Sequence, residues 1–300
     1  MNKKYTFYLL IALLMIPSHA SIISQKNNVS KPLAFRTLKR IKETSKFKNK
    51  HKRNKGNQTR NENKLYPRYE VVDSVSSERY TYNFPIGLFL IDDDGIHVED
   101  DICTASVINT ENGNIGLTAA HCLYDTDGIP IDLDRLSFSP GYDDNDDGPL
   151  GAIPISDTAV PFVHMVDLET KDYALIRFDF DRGKVQDYTG ALGYRFDIED
   201  DESTNAFGYP KNGDLENCPK DGEHLCEWQG NTEKTDYYTI SDVDLGDGVS
   251  GGPFISQYDR DENLGYAYAV YRGYDIQNDQ GVAAIWDEIT FNNLLLELTP

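Results

Sequence analysis

Gly246-Asp247-Gly248-Val249-Ser250-Gly251-Gly252-Pro253 is the stretch on which the fold of this 300-residue chain turns. It sets one serine among glycines, residues that tolerate unusual backbone angles and let main-chain N–H groups come close to a carbonyl. Such a segment reads as a nucleophile loop. Two further segments stand upstream, Leu117-Thr118-Ala119-Ala120-His121-Cys122 and Lys171-Asp172-Tyr173-Ala174-Leu175-Ile176. Histidine, aspartate and serine therefore occur in that order, one of the known orders for a base, an orienting carboxylate and a nucleophile.

A serine hydroxyl is a weak nucleophile unless a base takes its proton and donors hold the oxyanion that forms. His121 is the candidate base. Asp172 is the group that keeps the imidazole in one tautomer and stabilises the imidazolium, and the N–H groups of Gly248 and Ser250 are the candidate oxyanion hole. Loss of one such donor costs on the order of 100-fold in rate, a chemical reason for glycine at 248. Taken singly, the residues have plainer readings: a structural histidine, a solvated aspartate, a turn serine. The three settings together point to acyl-transfer chemistry.

Outward from these segments, short apolar or alternating runs are separated by Asp, Asn and Gly clusters. They cover Ile86 to Ile91, Ile102 to Ile108, Ile115 to Ala119, Ala159 to Met165 and Tyr173 to Phe180. Others cover Glu223 to Trp228, Tyr237 to Ile240, Pro253 to Tyr258, Tyr266 to Tyr271 and Gly281 to Ile285. These are strand signals. Near the end, Trp286, Ile289, Leu294, Leu295 and Leu298 recur at near-helical spacing behind Asp287 and Glu288, which predicts a C-terminal helix. Many short strands without βαβ alternation or repeats predict an all-β antiparallel barrel or sandwich, as one main domain.

Charge divides the chain. Ser21 to Lys64 carries 14 Lys and Arg against Glu43 and Glu62, whereas Leu65 to Pro300 carries 13 basic and 48 acidic residues, a net of −35. The first tract has few large apolar residues and cannot bury enough surface to fold alone. Before it, Lys3 and Lys4, the apolar run Phe7 to Ile16 and Ser18-His19-Ala20 form the three regions of a secretory signal. That run is shorter than the roughly 20 residues a bilayer anchor needs. The expected layout is a signal peptide over 1–20, a basic propeptide over 21–68 and a folded body over 69–300, secreted and free of membrane once the signal is removed. Lys39-Arg40 and Lys52-Arg53 are candidate cuts, the mature N-terminus falls between Arg53 and Val71, and the sequons Asn28-Val29-Ser30 and Asn57-Gln58-Thr59 lie in the same tract. A basic tract also suits nucleic acid or anionic lipid, but export disfavours the former and an acidic body repels polyanions. Nucleic acid is excluded as a partner, and the propeptide is expected to pair with the body, inhibiting or chaperoning it.

Cys103, Cys122, Cys218 and Cys226 allow three connectivities, and export predicts oxidised pairs. A Cys103–Cys122 bridge would staple the strand carrying the histidine to its neighbour. Cys218 and Cys226 would then close a short hairpin. No CxxC spacing supports a thiolate metal site.

Cys103-Thr104-Ala105-Ser106-Val107, Leu117 to Cys122, Asp172-Tyr173-Ala174-Leu175 and Gly248 to Pro253 together resemble the chymotrypsin-like serine endopeptidases. Val71-Val72-Asp73 with Ile86-Gly87, Ser139-Pro140-Gly141-Tyr142 and Gly208-Tyr209-Pro210 are similar to their secreted glutamyl endopeptidase branch. Over residues 70 to 297 the resemblance implies two packed antiparallel six-stranded β-barrels, with His121 and Asp172 on the first and Ser250 on the second. It implies a serine endopeptidase acting on polypeptides without a catalytic cofactor. Two departures bear on it. Val249 stands where trypsin-type enzymes keep an aspartate that receives the new N-terminus on activation, so a different release is expected. The strand after the nucleophile, Tyr268-Ala269-Val270-Tyr271-Arg272-Gly273-Tyr274, lacks the histidine with which the glutamyl branch reads acidic side chains. Tyr271, Arg272 and Gly273 are the pocket candidates there, and Arg272 could read an acidic residue. Asp244, six residues before Ser250, stands where trypsin-like enzymes hold Lys or Arg. Preference for a basic or an acidic residue thus remains open.

Asp143-Asp144-Asn145-Asp146-Asp147-Gly148 matches the first half of a calcium loop, with Asp143, Asn145 and Asp147 as candidate ligands, but Pro154 stands where the bidentate glutamate belongs. The alternatives there are a structural calcium and a solvated acidic loop. The rival to an enzyme is a catalytically silent homologue that uses the barrel surface for extracellular binding.

Overall fold

A computed structural model describes residues 23–26, 69–92, 101–162 and 171–299. The signal, the sequons, the dibasic pairs and most of the propeptide lie outside the described residues. The first described strand is β1 (Ile23–Lys26), followed by β2 (Val71–Val72).

Six strands form the first barrel: β3 (Ile86–Ile91), β4 (Asp101–Val107), β5 (Ile115–Thr118), β6 (Leu136–Pro140), β7 (Ile153–Val160) and β8 (Ala174–Phe178). They follow the order β7-β6-β3-β4-β5-β8 and close through β7–β8, all antiparallel, with β1 added on β7. After the short β9 (Gly193–Arg195), the second barrel holds β10 (Glu202–Gly208), β11 (Cys226–Lys234), β12 (Tyr238–Ser241), β13 (Pro253–Asp259), β14 (Leu264–Asp275) and β15 (Gln280–Ile285). Their order is β13-β10-β11-β12-β15-β14, closed through β13–β14, while β9 lies parallel to β14 and carries β2 on its outer side. The two six-stranded antiparallel barrels expected from the resemblance are present. Closure leaves few exposed edges, which suits a chain of many short strands.

One turn of helix, α1 (Gln186–Thr189), precedes β9, and α2 (Glu288–Leu298) ends the chain. Asp287 caps α2 by accepting the Thr290 N–H at 2.8 Å. Phe291, Leu294 and Leu298 are its buried face, whereas Ile289 is 76% exposed and faces away from the core. Phe291 packs with Tyr173, Tyr194, Phe196 and Trp286, so the helix seals an aromatic cluster beside the strand that follows Asp172.

β6, most of β7 and β10 lie outside the predicted runs, and β10 also lacks apolar alternation at its start. β10 reads Glu-Ser-Thr-Asn at its start, yet Thr204 is buried with its hydroxyl bonded to Tyr268 Oη, and Asn205 bonds Glu227. Tertiary partners make those polar residues compatible with a barrel wall. For the same reason β11 runs from Cys226 on to Lys234, beyond the run that ends at Trp228.

Candidate active site

β5 and β8 are antiparallel neighbours, with Thr118 opposite Ala174. His121 follows the end of one and Asp172 precedes the start of the other, so both emerge at the same end of the first barrel. Asp172 is 3% exposed; its Oδ2 lies 2.6 Å from His121 Nδ1 and its Oδ1 accepts the His121 backbone N–H at 2.9 Å. Two bonds from one carboxylate fix both the ring and the main chain, and the Nδ1 bond directs Nε2 away from Asp172. The imidazole is partly open, with 42% of its side chain exposed. Tyr173, fully buried between Trp286 and Phe291, anchors the backbone beside the carboxylate.

The serine loop reaches this point from the second barrel. Ser250 O accepts the Thr104 N–H at 2.8 Å and lies 3.8 Å from Cys122 Sγ, the residue after His121. Thr104 is the hub: its hydroxyl donates to Gly248 O at 2.8 Å and receives the Tyr209 N–H, while its carbonyl accepts the Thr118 hydroxyl. The structure thus brings His121, Asp172 and Ser250 to one junction between the barrels. Among the described residues His121 is bonded to Asp172, and no hydrogen bond joins the Ser250 hydroxyl to it. Neither the Gly248 nor the Ser250 N–H donates to any described residue, and Gly248 holds a positive φ of 92°.

Gly251 makes the junction tight. Its φ is +82°, and a Cβ there would meet Thr118 Oγ1 at 2.2 Å, Thr104 O at 2.4 Å and Ala119 N at 2.7 Å. Gly251→Ala is expected to cost on the order of 4 kcal/mol, combining left-handed strain with overpacking against backbone. Chemical denaturation measures it, and a change under about 1 kcal/mol would show that the loop does not seat between these strands.

Both disulfides form. Cys103–Cys122 ties β4 to the turn after His121 with Cα atoms 6.4 Å apart, and Cys218–Cys226 closes eight residues of sequence. That second segment is a loop and not a hairpin: Asn217, Lys220 and Gly222 take positive φ, and Cys226 pairs in β11 with Gly208. The sulfurs of Cys103 and Cys122 lie within 4.8 Å of a His121 ring nitrogen, the one such group of three among the described residues. Bonded to each other, they offer no thiolate to a metal.

Asp244 and Tyr271 meet. Tyr271 is buried, and its hydroxyl donates to Asp244 Oδ1 at 3.0 Å while accepting the Leu245 N–H. Burial, and then the Asp244 charge, hold that hydroxyl well above the ordinary tyrosine value, so it stays a donor. Asp244 Oδ1 also accepts the Gly246 N–H at 2.9 Å. Tyr271 N and O bond Gly252 O and Gly251 N, so this one residue braces both ends of the serine loop. Arg272 is the extra residue of a β-bulge and lies over the Tyr237 ring at 5.6 Å, and Gly273 resumes the pairing opposite Val282. No cystine pins the serine loop. Asn212 does so instead, accepting the Asp247 N–H and donating to its carboxylate, with Lys211 N bonded to Asp247 O and Asp214 N to Asp244 O. Thr104, Asn212 and the bracing role of Tyr271 were not legible in the sequence; a buried threonine gives no periodic signal.

The acidic loop closes as a tight turn. Asp144 and Asn145 take φ of 47° and 63° between the paired Asp143 and Asp146, the dihedrals of a tight hairpin turn. Asn145 Nδ2 donates to Glu223 Oε2 at 2.7 Å, Asp144 N to Glu223 O, and Ser139 Oγ to Asp147 Oδ1. The loop clasps the second barrel, and no three acidic groups within it converge among the described residues. Tyr142 and Tyr209, from two of the quoted segments, meet edge to face there.

No protein-family profile and no curated protein match this chain. Solved structures do. The protease Anisep from Arthrobacter nicotinovorans aligns with a TM-score of 0.61 at 20% identity, over 76% of this chain and 100% of its own. The thermostable serine protease AL20, from an extremophilic microorganism, aligns at 0.59 and 20%, over 72% and 98%. A Glu endopeptidase aligns at 0.57 and 17%, over 76% and 98%. The chain has the chymotrypsin-like fold.

Proposed function

We propose that the chain is a secreted serine endopeptidase, made with a signal peptide over 1–20 and a prosegment over 21–68 ahead of a catalytic body over 69–300. One observation carries the reading: Asp172 grips His121 through both side chain and backbone at the place where the Ser250 loop is bonded to Thr104. In this mechanism His121 takes the Ser250 proton as the hydroxyl attacks a peptide carbonyl, and the Gly248 and Ser250 N–H groups receive the oxyanion. His121 then protonates the leaving amine, and water releases the acyl group by the same steps in reverse. Two disulfides suit an oxidising compartment, and no helix among the described residues is long and apolar enough to cross a membrane. Processing falls before Glu70, whose N–H is bonded to Glu288 Oε1, with Val71 and Val72 paired on β9. A fluorophosphonate probe tests the proposal on the purified body: stoichiometric labelling of Ser250 is expected, and a folded but unlabelled body would favour the binding-protein rival.

The preference we propose is for a basic residue before the scissile bond. Asp244 lies at the foot of the loop with its carboxylate oriented by Tyr271 and Gly246, and a body of net charge −35 attracts cationic peptides. Arg272, engaged with Tyr237, is less suited to reading an acid. Asp244→Ala is expected to lower kcat/KM for Lys or Arg substrates by about 100-fold. A peptide-library profile dominated by glutamate, or one unaltered by this change, would refute the preference.

A further inference from the structure

β7 has three neighbours where an ordinary strand has two. β8 lies along one edge, paired from Ile155 to Ala159. On the other edge β6 pairs only Ile153 and Pro154, because its chain leaves the sheet into the 3-10 turn Leu133–Arg135. Residues Asp157 to Val160 would therefore present an open row of N–H and C=O groups, a template for any extended peptide. In the structure β1 occupies it, antiparallel and in unbroken register: Ile23 opposite Val160, Ser24 opposite Ala159, Gln25 opposite Thr158 and Lys26 opposite Asp157.

We infer that the edge Asp157–Val160 is a docking site for the prosegment of this same chain, recognised by strand addition through Ile23–Lys26. One further observation favours that occupant. The tract that follows, to Lys64, carries 14 basic residues when β1 is included, against a body of net charge −35. Backbone pairing sets the place and register of the segment, and the diffuse charge adds affinity without register. A cut between Arg53 and Glu70 breaks none of these strand bonds. The released prosegment is therefore held as a non-covalent strand at the root of the chain segment that leads from Val160 to Asp172, until dilution or a second cut removes it.

Hydrogen exchange on the full chain carrying Ser250→Ala, which prevents self-cleavage, reads the site without recourse to activity. Every second amide from Asp157 to Val160 should exchange roughly tenfold more slowly than in the same chain with Ser24→Pro and Gln25→Pro, adjacent positions of which one N–H faces β7. Equal exchange in the two chains, fast or slow, would overturn the proposal: fast means an open edge, slow means another cover. A cysteine pair gives a second reading should the prolines impair folding. Gln25→Cys with Thr158→Cys should close a disulfide found in the peptide map, whereas Ile23→Cys with Thr158→Cys, two residues out of register, should not. Cross-linking of both pairs alike, or of neither, would also overturn it. A failure of the protease reading leaves these outcomes unchanged, since none depends on hydrolysis.

Discussion

Replacing Ser250 with alanine is expected to lower kcat for a peptide substrate by about a millionfold and to leave KM within a few fold. The size follows from what is removed. Without the hydroxyl no acyl-enzyme forms, His121 has no proton to take, and only the oxyanion donors and substrate binding remain to favour attack by water. The change is silent for the fold, because the Ser250 contact that seats the loop is made by its carbonyl on Thr104. Melting temperature should therefore move by no more than a degree or two, a change within ±0.5 kcal/mol. Retention of more than a hundredth of the activity would remove Ser250 as nucleophile and with it the proposed reaction.

Asp172→Asn should cost about 10⁴-fold in kcat. The side chain keeps its shape, so the carbonyl oxygen of the amide can still accept either the backbone N–H or the ring N–H, but its NH₂ can only donate. That favours the imidazole tautomer with the proton on Nε2, leaving no base to face Ser250, and the charge that stabilises the imidazolium is lost. Because Asp172 is buried and holds two His121 groups, stability should fall as well, by about 1–3 kcal/mol. The two losses are separable: activity measured far below the melting transition reports the catalytic loss, of tautomer and charge, without the loss of stability. A variant with near-native kcat would mean that Asp172 merely props the loop.

Much of the barrel architecture follows from runs such as Ile86–Ile91 and Pro253–Tyr258, whose apolar residues have nowhere to go but a barrel interior. β10 and the far half of β11 did not announce themselves, since Thr204, Asn205 and Thr232 are polar residues whose partners come from other strands. The aspartates of the acidic loop are legible in the sequence, whereas the closure of its turn by its own backbone and by Glu223 is not. A local pattern states which atoms are available and says nothing of which distant groups will reach them.

Taken alone, the order of residues determined the strand-rich class, the opposed charges of the two tracts, the glycine-framed serine and the candidate identities of His121 and Asp172, because each is carried by composition or by spacing within a few residues. Only the tertiary structure decided that Thr104 receives the serine loop, that Tyr271 and Asn212 brace it where a cystine is absent, that Cys218–Cys226 spans an irregular loop, and that β7 offers an edge to β1. Those contacts join different loops, strands or barrels, and the free energy that selects them exists only once both surfaces have been formed and desolvated together.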